Sequence, residues 1–188
     1  METVLCFHKT GKMRTVPIFL ISLGLLVVAG CEPAASNWTP LEPSVPAPEF
    51  SLPALGGGRV SLSDVRGQVV IMEFWATWCG PCHYSTPSLE AIYRAYHHRG
   101  VTVLLVNAGE SAEDVRAWAG QRFTAPILLD EDGQVARLYQ VHGIPRLLVI
   151  DQGGQIRYDR SGYAGGLELN LKLILTDLLA EARPAPQR

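Results

Sequence analysis

The sequence predicts an α/β fold: a mixed central sheet with helices on both faces, preceded by a small β-hairpin. Two observations carry this reading. Apolar runs of strand length, at 69–75, 101–106 and 147–150, alternate with segments whose apolar residues recur at helical spacing. The last run turns straight back through Asp151-Gln152-Gly153-Gly154 into 155–159, so one strand pair must be antiparallel. An apolar share of 47% suits a globular chain rather than a disordered one. The formal charge of −2 gives no basic excess for a nucleic-acid partner.

The elements follow in order. Residues 49–52 and 59–62 alternate polar and apolar around Gly56-Gly57-Gly58, which reads as a hairpin. Ser63 caps a short turn that Gly67 ends. The strand at 69–75 is followed by a helix that starts near Cys82, carries Leu89, Ile92, Tyr93 and Tyr96, and runs to about Arg99. Pro87 is expected to kink it and Gly100 to end it. After the buried-strand run at 101–106, Ser111 caps a helix bearing Val115, Trp118 and Ala119. A short strand at 125–129 ends in the acidic turn 130–133, and Val135, Leu138 and Tyr139 mark a further short helix. The last helix carries Leu167, Leu171, Ile174, Leu175, Leu178 and Leu179 and ends before Pro184. Its leucine stripe reads as core rather than interface, and the chain is expected to be a monomer.

The N-terminus reads as export machinery. Lys9, Lys12 and Arg14 precede an almost wholly apolar stretch, 16–28, too short to span a bilayer. Val28-Ala29-Gly30-Cys31 resembles the bacterial lipobox, which implies that residues 1–30 are a signal and that Cys31 becomes a lipidated N-terminus. Met13 offers a second translation start beside Met1. Residues 31–48, with Pro33, Pro40, Pro43, Pro46 and Pro48, read as a semi-rigid tether reaching up to ~50 Å. Trp38 within it is a candidate headgroup contact. The folded domain is expected over 49–182, with a disordered tail at 183–188. Cleavage leaves 13 Lys and Arg against 17 Asp and Glu, so attachment to the bilayer rests on lipid and not on a basic patch.

Of four cysteines, Cys6 would be lost with the signal and Cys31 would carry lipid. Cys79 and Cys82 remain, in Trp78-Cys79-Gly80-Pro81-Cys82 between strand and helix. One helical turn brings such residues to about 5–6 Å between Cα atoms, within disulfide range, and Pro81 suits the first helical position. The pair reads as a dithiol/disulfide couple. Cys79 at a helix N-terminus faces free N–H groups, which favour its thiolate. Glu73 lies on the same strand face as Ile71 and Trp75, so it is expected to be buried, with a raised pKa, and to accept the proton of Cys82 through water.

The chain resembles the thioredoxin superfamily, in its membrane-tethered TlpA/ResA-like branch. Phe74-Trp75-Ala76-Thr77-Trp78-Cys79-Gly80-Pro81-Cys82 carries that resemblance, with Ala47-Pro48-Glu49-Phe50-Ser51-Leu52 and Leu62-Ser63-Asp64-Val65-Arg66-Gly67. Gly143-Ile144-Pro145, followed by Leu147-Leu148-Val149-Ile150-Asp151, completes it. The resemblance implies a thioredoxin-like fold, with Cys79 as exposed nucleophile and Cys82 as buried resolving thiol. It also implies a cis Pro145 facing the cysteines. Trp78, Gly80, Pro81, Ile144 and Pro145 would bind substrate. Glu73 stands where thioredoxins carry a buried acid, and Arg146 stands where Thr is commoner, which bears on substrate preference.

The implied activity is extracytoplasmic thiol-disulfide exchange without a cofactor, on exported proteins that bear disulfides, with apocytochrome c as one substrate. Gly80-Pro81 favours the reducing direction, which requires a membrane thiol carrier as electron source and favours the inner membrane of the cell envelope. Alternatives use the same residues. An oxidant would run the couple in reverse. Cys79, Cys82 and His142 suggest a copper(I) chaperone, although such proteins space their cysteines one residue wider. Cys79–His83 fits the haem-attachment pattern, but Met72 on the strand is then the only methionine of the cleaved chain available as an axial ligand. His83 reads instead as a solvent-facing helix residue. His97-His98 reads as a solvated helix end, and a peroxidase lacks its expected Pro/Thr setting around a single cysteine.

Overall fold

The computed structural model describes residues 38–181. The signal, Cys31 and the tail at 183–188 lie outside them. The strands are β1 Thr39–Pro46, β2 Ser51–Pro53, β3 Arg59–Ser61, β4 Val69–Trp75, β5 Val101–Ala108, β6 Ile127–Asp130, β7 Arg146–Ile150 and β8 Gln155–Ser161. The helices are α1 Cys82–Tyr96, α2 Ala112–Ala119, α3 Gln134–Leu138 and α4 Leu167–Glu181. Six strands form one mixed sheet in the order β1-β8-β7-β4-β5-β6, and β2 with β3 forms the separate hairpin expected from the alternation.

β4 is buried on both faces because it sits inside the sheet, parallel to β5 and antiparallel to β7. Val69, Ile71, Glu73 and Trp75 point to one side. There, the apolar members pack with Leu89 and Ile92 of α1 and Leu171 and Leu175 of α4. Val70, Met72 and Phe74 point to the other side, where Leu52, Leu62, Val135 and Tyr139 cover them. Pairing of Trp75 with Asn107, and of Phe74 with Arg146, brings three chain segments to one end of the sheet. These are the loop after β4, the loop after β5 and the residues just before β7, so the tight pairing of the sheet assembles the site.

The tether reading is corrected over 39–46. These residues form the edge strand β1, paired with β8. An edge strand is bonded on one side only, so Pro40, Pro43 and Pro46 can lack N–H donors on the other, and a bulge between Pro40 and Val45 absorbs the misfit. Trp38 is not displayed to a headgroup. It is 3% exposed, edge-on to Tyr158 and beneath the guanidinium of Arg160. The folded domain therefore includes Trp38 and does not wait for Glu49. α1 ends at Tyr96 and continues to Arg99 as a 3-10 turn, where Gly100 adopts φ 80°. Pro87 lies within α1 without ending it.

Candidate active site

The loop after β4 is pinned from outside. The Glu110 carboxylate accepts from the Thr77 N–H at 2.7 Å, from the Thr77 hydroxyl, and from Asn107 Nδ2 at 2.6 Å. The chain then turns into α1 through short-range bonds, with the Cys82 N–H on the Cys79 carbonyl at 3.0 Å and the His83 N–H on Gly80 at 3.1 Å. Helix α1 begins at Cys82, which leaves Pro81 at the capping position.

Cys79 and Cys82 form a disulfide, with their Cα atoms 5.3 Å apart. The expected exposure of Cys79 is corrected: in this oxidised state Cys79 is only 4% exposed and Cys82 not at all. The disulfide lies under the helix entrance, while Gly80 and Pro81 are exposed and Trp78 is 72% exposed. The Cys82 N–H also points at Cys79 Sγ, at 3.3 Å. That donor, with the helix dipole behind it, is suited to stabilise a thiolate on Cys79 once the pair is reduced.

Glu73 is fully buried, on the face its alternation predicts. Ser85 donates to its Oε1, and Oε2 has no hydrogen-bond partner among the described residues. Burial pushes the Glu73 carboxyl up to about 8, against the opposing pull of the Ser85 bond. Ser85 and Thr86 also reach the Cys82 carbonyl, at 3.2 and 2.8 Å. Neither hydroxyl is marked by sequence pattern, although both lie within one turn of Cys82.

The Ile144–Pro145 peptide is cis. Pro145 is buried and its carbonyl accepts from the Gly162 N–H at 2.7 Å, which fastens this turn to the end of β8. Ile144 is half-buried. Arg146 is directed away from the cysteines' face. Its guanidinium binds Asp159 through Nε at 3.0 Å and Nη2 at 2.5 Å, and reaches the Tyr139 and Gln140 carbonyls. It braces β7 to β8 and to the end of α3, so its bearing on substrate is indirect.

His83 is exposed, as expected, yet it is fixed. One ring nitrogen lies 2.7 Å from the Thr77 carbonyl, and the ring stacks on Trp118, which also meets Trp75 and Phe123. Tyr84 and Tyr163 form an exposed pair beside the entrance to α1. His97 and His98 are exposed, at the end of α1. Among the described residues no group of three or more His, Cys, Asp or Glu side chains is arranged to hold a metal.

Residues 43–159 match the AhpC/TSA family. The chain is 36% identical over 149 residues to the thiol-disulfide oxidoreductase ResA of Geobacillus thermodenitrificans, covering 77% of this chain and 83% of that one. It is 37% identical over 132 residues to the thioredoxin-like protein YneN of Bacillus subtilis, covering 69% and 77%. A crystal structure from Chlorobium tepidum, described as a thiol:disulfide interchange protein DsbE, superposes with a TM-score of 0.68 at 33% identity, over 72% of this chain and 96% of that one.

Proposed function

The chain belongs to the AhpC/TSA family, as a thioredoxin-like thiol-disulfide oxidoreductase, and from that premise we propose that it works outside the cytoplasm as a reductant of disulfides in exported proteins. The observation that carries this reading is the Cys79–Cys82 pair at the entrance to α1, with the buried Glu73 behind it.

In the reduced enzyme, the Cys79 thiolate attacks one sulfur of a substrate disulfide. A bond forms between Cys79 and that sulfur, and the other substrate sulfur leaves as a thiolate. Cys82 then gives its proton to Glu73 and attacks Cys79 Sγ. The second substrate sulfur leaves and takes a proton. Substrate gains two electrons, and the enzyme returns to the disulfide form. A membrane thiol carrier must restore the dithiol. Trp78, Gly80 and Pro81 are exposed and Ile144 is half-buried, so they would form the rim that meets substrate, with Pro145 setting the turn next to Ile144.

The resemblance of Val28-Ala29-Gly30-Cys31 to a lipobox supports attachment to the cell envelope, and the need for an electron source favours the inner membrane. An apocytochrome c, whose haem-binding thiols must stay reduced, is one substrate of the required kind.

Insulin reduction driven by dithiothreitol tests the reaction. The wild type should turn over, and Cys79→Ser should be inactive. Cys82→Ser should stop after one mixed disulfide. Full turnover by Cys82→Ser would sink the dithiol mechanism.

A further inference from the structure

Resting on that reading, we propose that Ser85 is a positioning residue: its hydroxyl occupies Oε1 of Glu73, so that Oε2 is the atom that takes the Cys82 proton. Ser85 is 1% exposed and sits one helical turn beyond Cys82. Its single hydroxyl proton faces two acceptors, Glu73 Oε1 and the Cys82 carbonyl, the latter at 3.2 Å. The same side chain thus touches the acid on β4 and the turn of α1 that carries the resolving thiol. Thr86 already serves the Cys82 carbonyl at 2.8 Å, so Ser85 is not needed there to satisfy it. Oε2 has no hydrogen-bond partner among the described residues, on a carboxyl that is buried in the core.

The surroundings contain little else that could move a proton. On the flanking strands Glu73 is paired with Leu105 and Leu147. The buried face of α4 is Leu167, Leu171, Ile174, Leu175 and Leu178. On α1 the titratable residues nearest in sequence are Cys82 itself and His83, whose ring is engaged by Thr77 and Trp118 outside the core. Burial is the main influence on the ionisation of Glu73, and the Ser85 bond opposes it.

The step balances simply. The Cys82 S–H bond breaks, an O–H bond forms at Oε2, and the electron pair left on sulfur attacks Cys79. No oxidant or further reactant is involved. Without Ser85, Oε1 also loses its partner in the core. The carboxylate is then less favoured, and its proton affinity rises.

The test uses the full chain and follows release of a fluorescent peptide from its mixed disulfide with Cys79 as pH is varied. In Ser85→Ala the alkaline-rising limb should move to higher pH, and release at pH 7 should slow about tenfold for each unit of that move. Formation of the mixed disulfide, read in the Cys82→Ser background, should not change. Ser85→Thr, which keeps the hydroxyl, should restore the wild-type profile. In a Glu73→Gln background, Ser85→Ala should have no further effect on release.

A Ser85→Ala profile that superimposes on wild type overturns the positioning role while leaving the exchange reaction standing. Failure of the wild type to release peptide overturns the reaction itself. Should Ser85→Ala not fold, the wild-type carboxyl band decides the matter, assigned by its loss in Glu73→Gln. It should have the infrared frequency of a hydrogen-bonded carbonyl, and the frequency of a free carbonyl overturns the proposal.

Discussion

Glu73 is a fully buried carboxyl whose ionisation is shifted far from its ordinary range. A carboxyl held at about 8 when folded and near 4.5 when unfolded is neutral in the native state across the interval between them. The unfolded chain releases a proton there that the native protein keeps. The contribution of Glu73 to stability is therefore most favourable below about 4.5 and falls as pH rises towards 8, by up to about 1.4 kcal/mol per pH unit. Urea denaturation of the oxidised protein at pH 5 and pH 8 should show that fall. Glu73→Gln should remove most of it and be the more stable protein at pH 8. A slope unchanged by the substitution would show that another group is responsible. Glu73 was legible in the sequence because strand alternation set its face and its distance from Cys79 suggested a role. Ser85 was not legible: a serine three residues into a helix carries no signal until the helix is laid against the strand.

At the scale of the element, β1 and the loop after β4 illustrate opposite ways of holding an irregular segment. β1 is rich in proline and still joins the sheet, since an edge strand needs only half its donors. Trp38 then anchors it, buried against Tyr158 and Arg160. Trp38→Ala should cost about 3–5 kcal/mol, read as a lowered denaturation midpoint, with Cys79–Cys82 chemistry retained in the protein that stays folded. The loop after β4 is held instead by one carboxylate. Glu110→Ala leaves the Thr77 N–H, the Thr77 hydroxyl and the Asn107 amide without their acceptor. It should slow exchange with substrate and speed amide hydrogen exchange at Thr77, with α4 unaffected. Proline content alone argued for a tether at 39–46. A proline's tolerance depends instead on which edge of a sheet it faces, and that is a property of the assembled sheet.

The whole molecule places its redox pair where three strand ends meet, covered by α1 and bordered by exposed Trp78, Tyr84 and Tyr163. A reductant must hold its own disulfide more stably than the substrate's. In the proposed reducing role, the Cys79–Cys82 couple should equilibrate with glutathione or dithiothreitol buffers at a potential nearer the value of about −270 mV for thioredoxin than that of about −120 mV for DsbA. A value at the oxidising end would assign the reverse direction.

The sequence by itself determined the α/β class, the order of elements and the dithiol pair. Each of these is written locally, in apolar periodicity, in turn residues, or in two cysteines one helical turn apart. Strand alternation also marked the face of Glu73, and the thioredoxin-like resemblance marked Pro145. Only the tertiary structure decided that β1 belongs to the sheet and that Trp38 is core. It alone turned Arg146 into a brace, fixed the active-site loop through Glu110, and joined Glu73 to Ser85. Those features depend on segments distant in the chain becoming neighbours, and on which groups are removed from water when they do. Neither property belongs to any one stretch of residues.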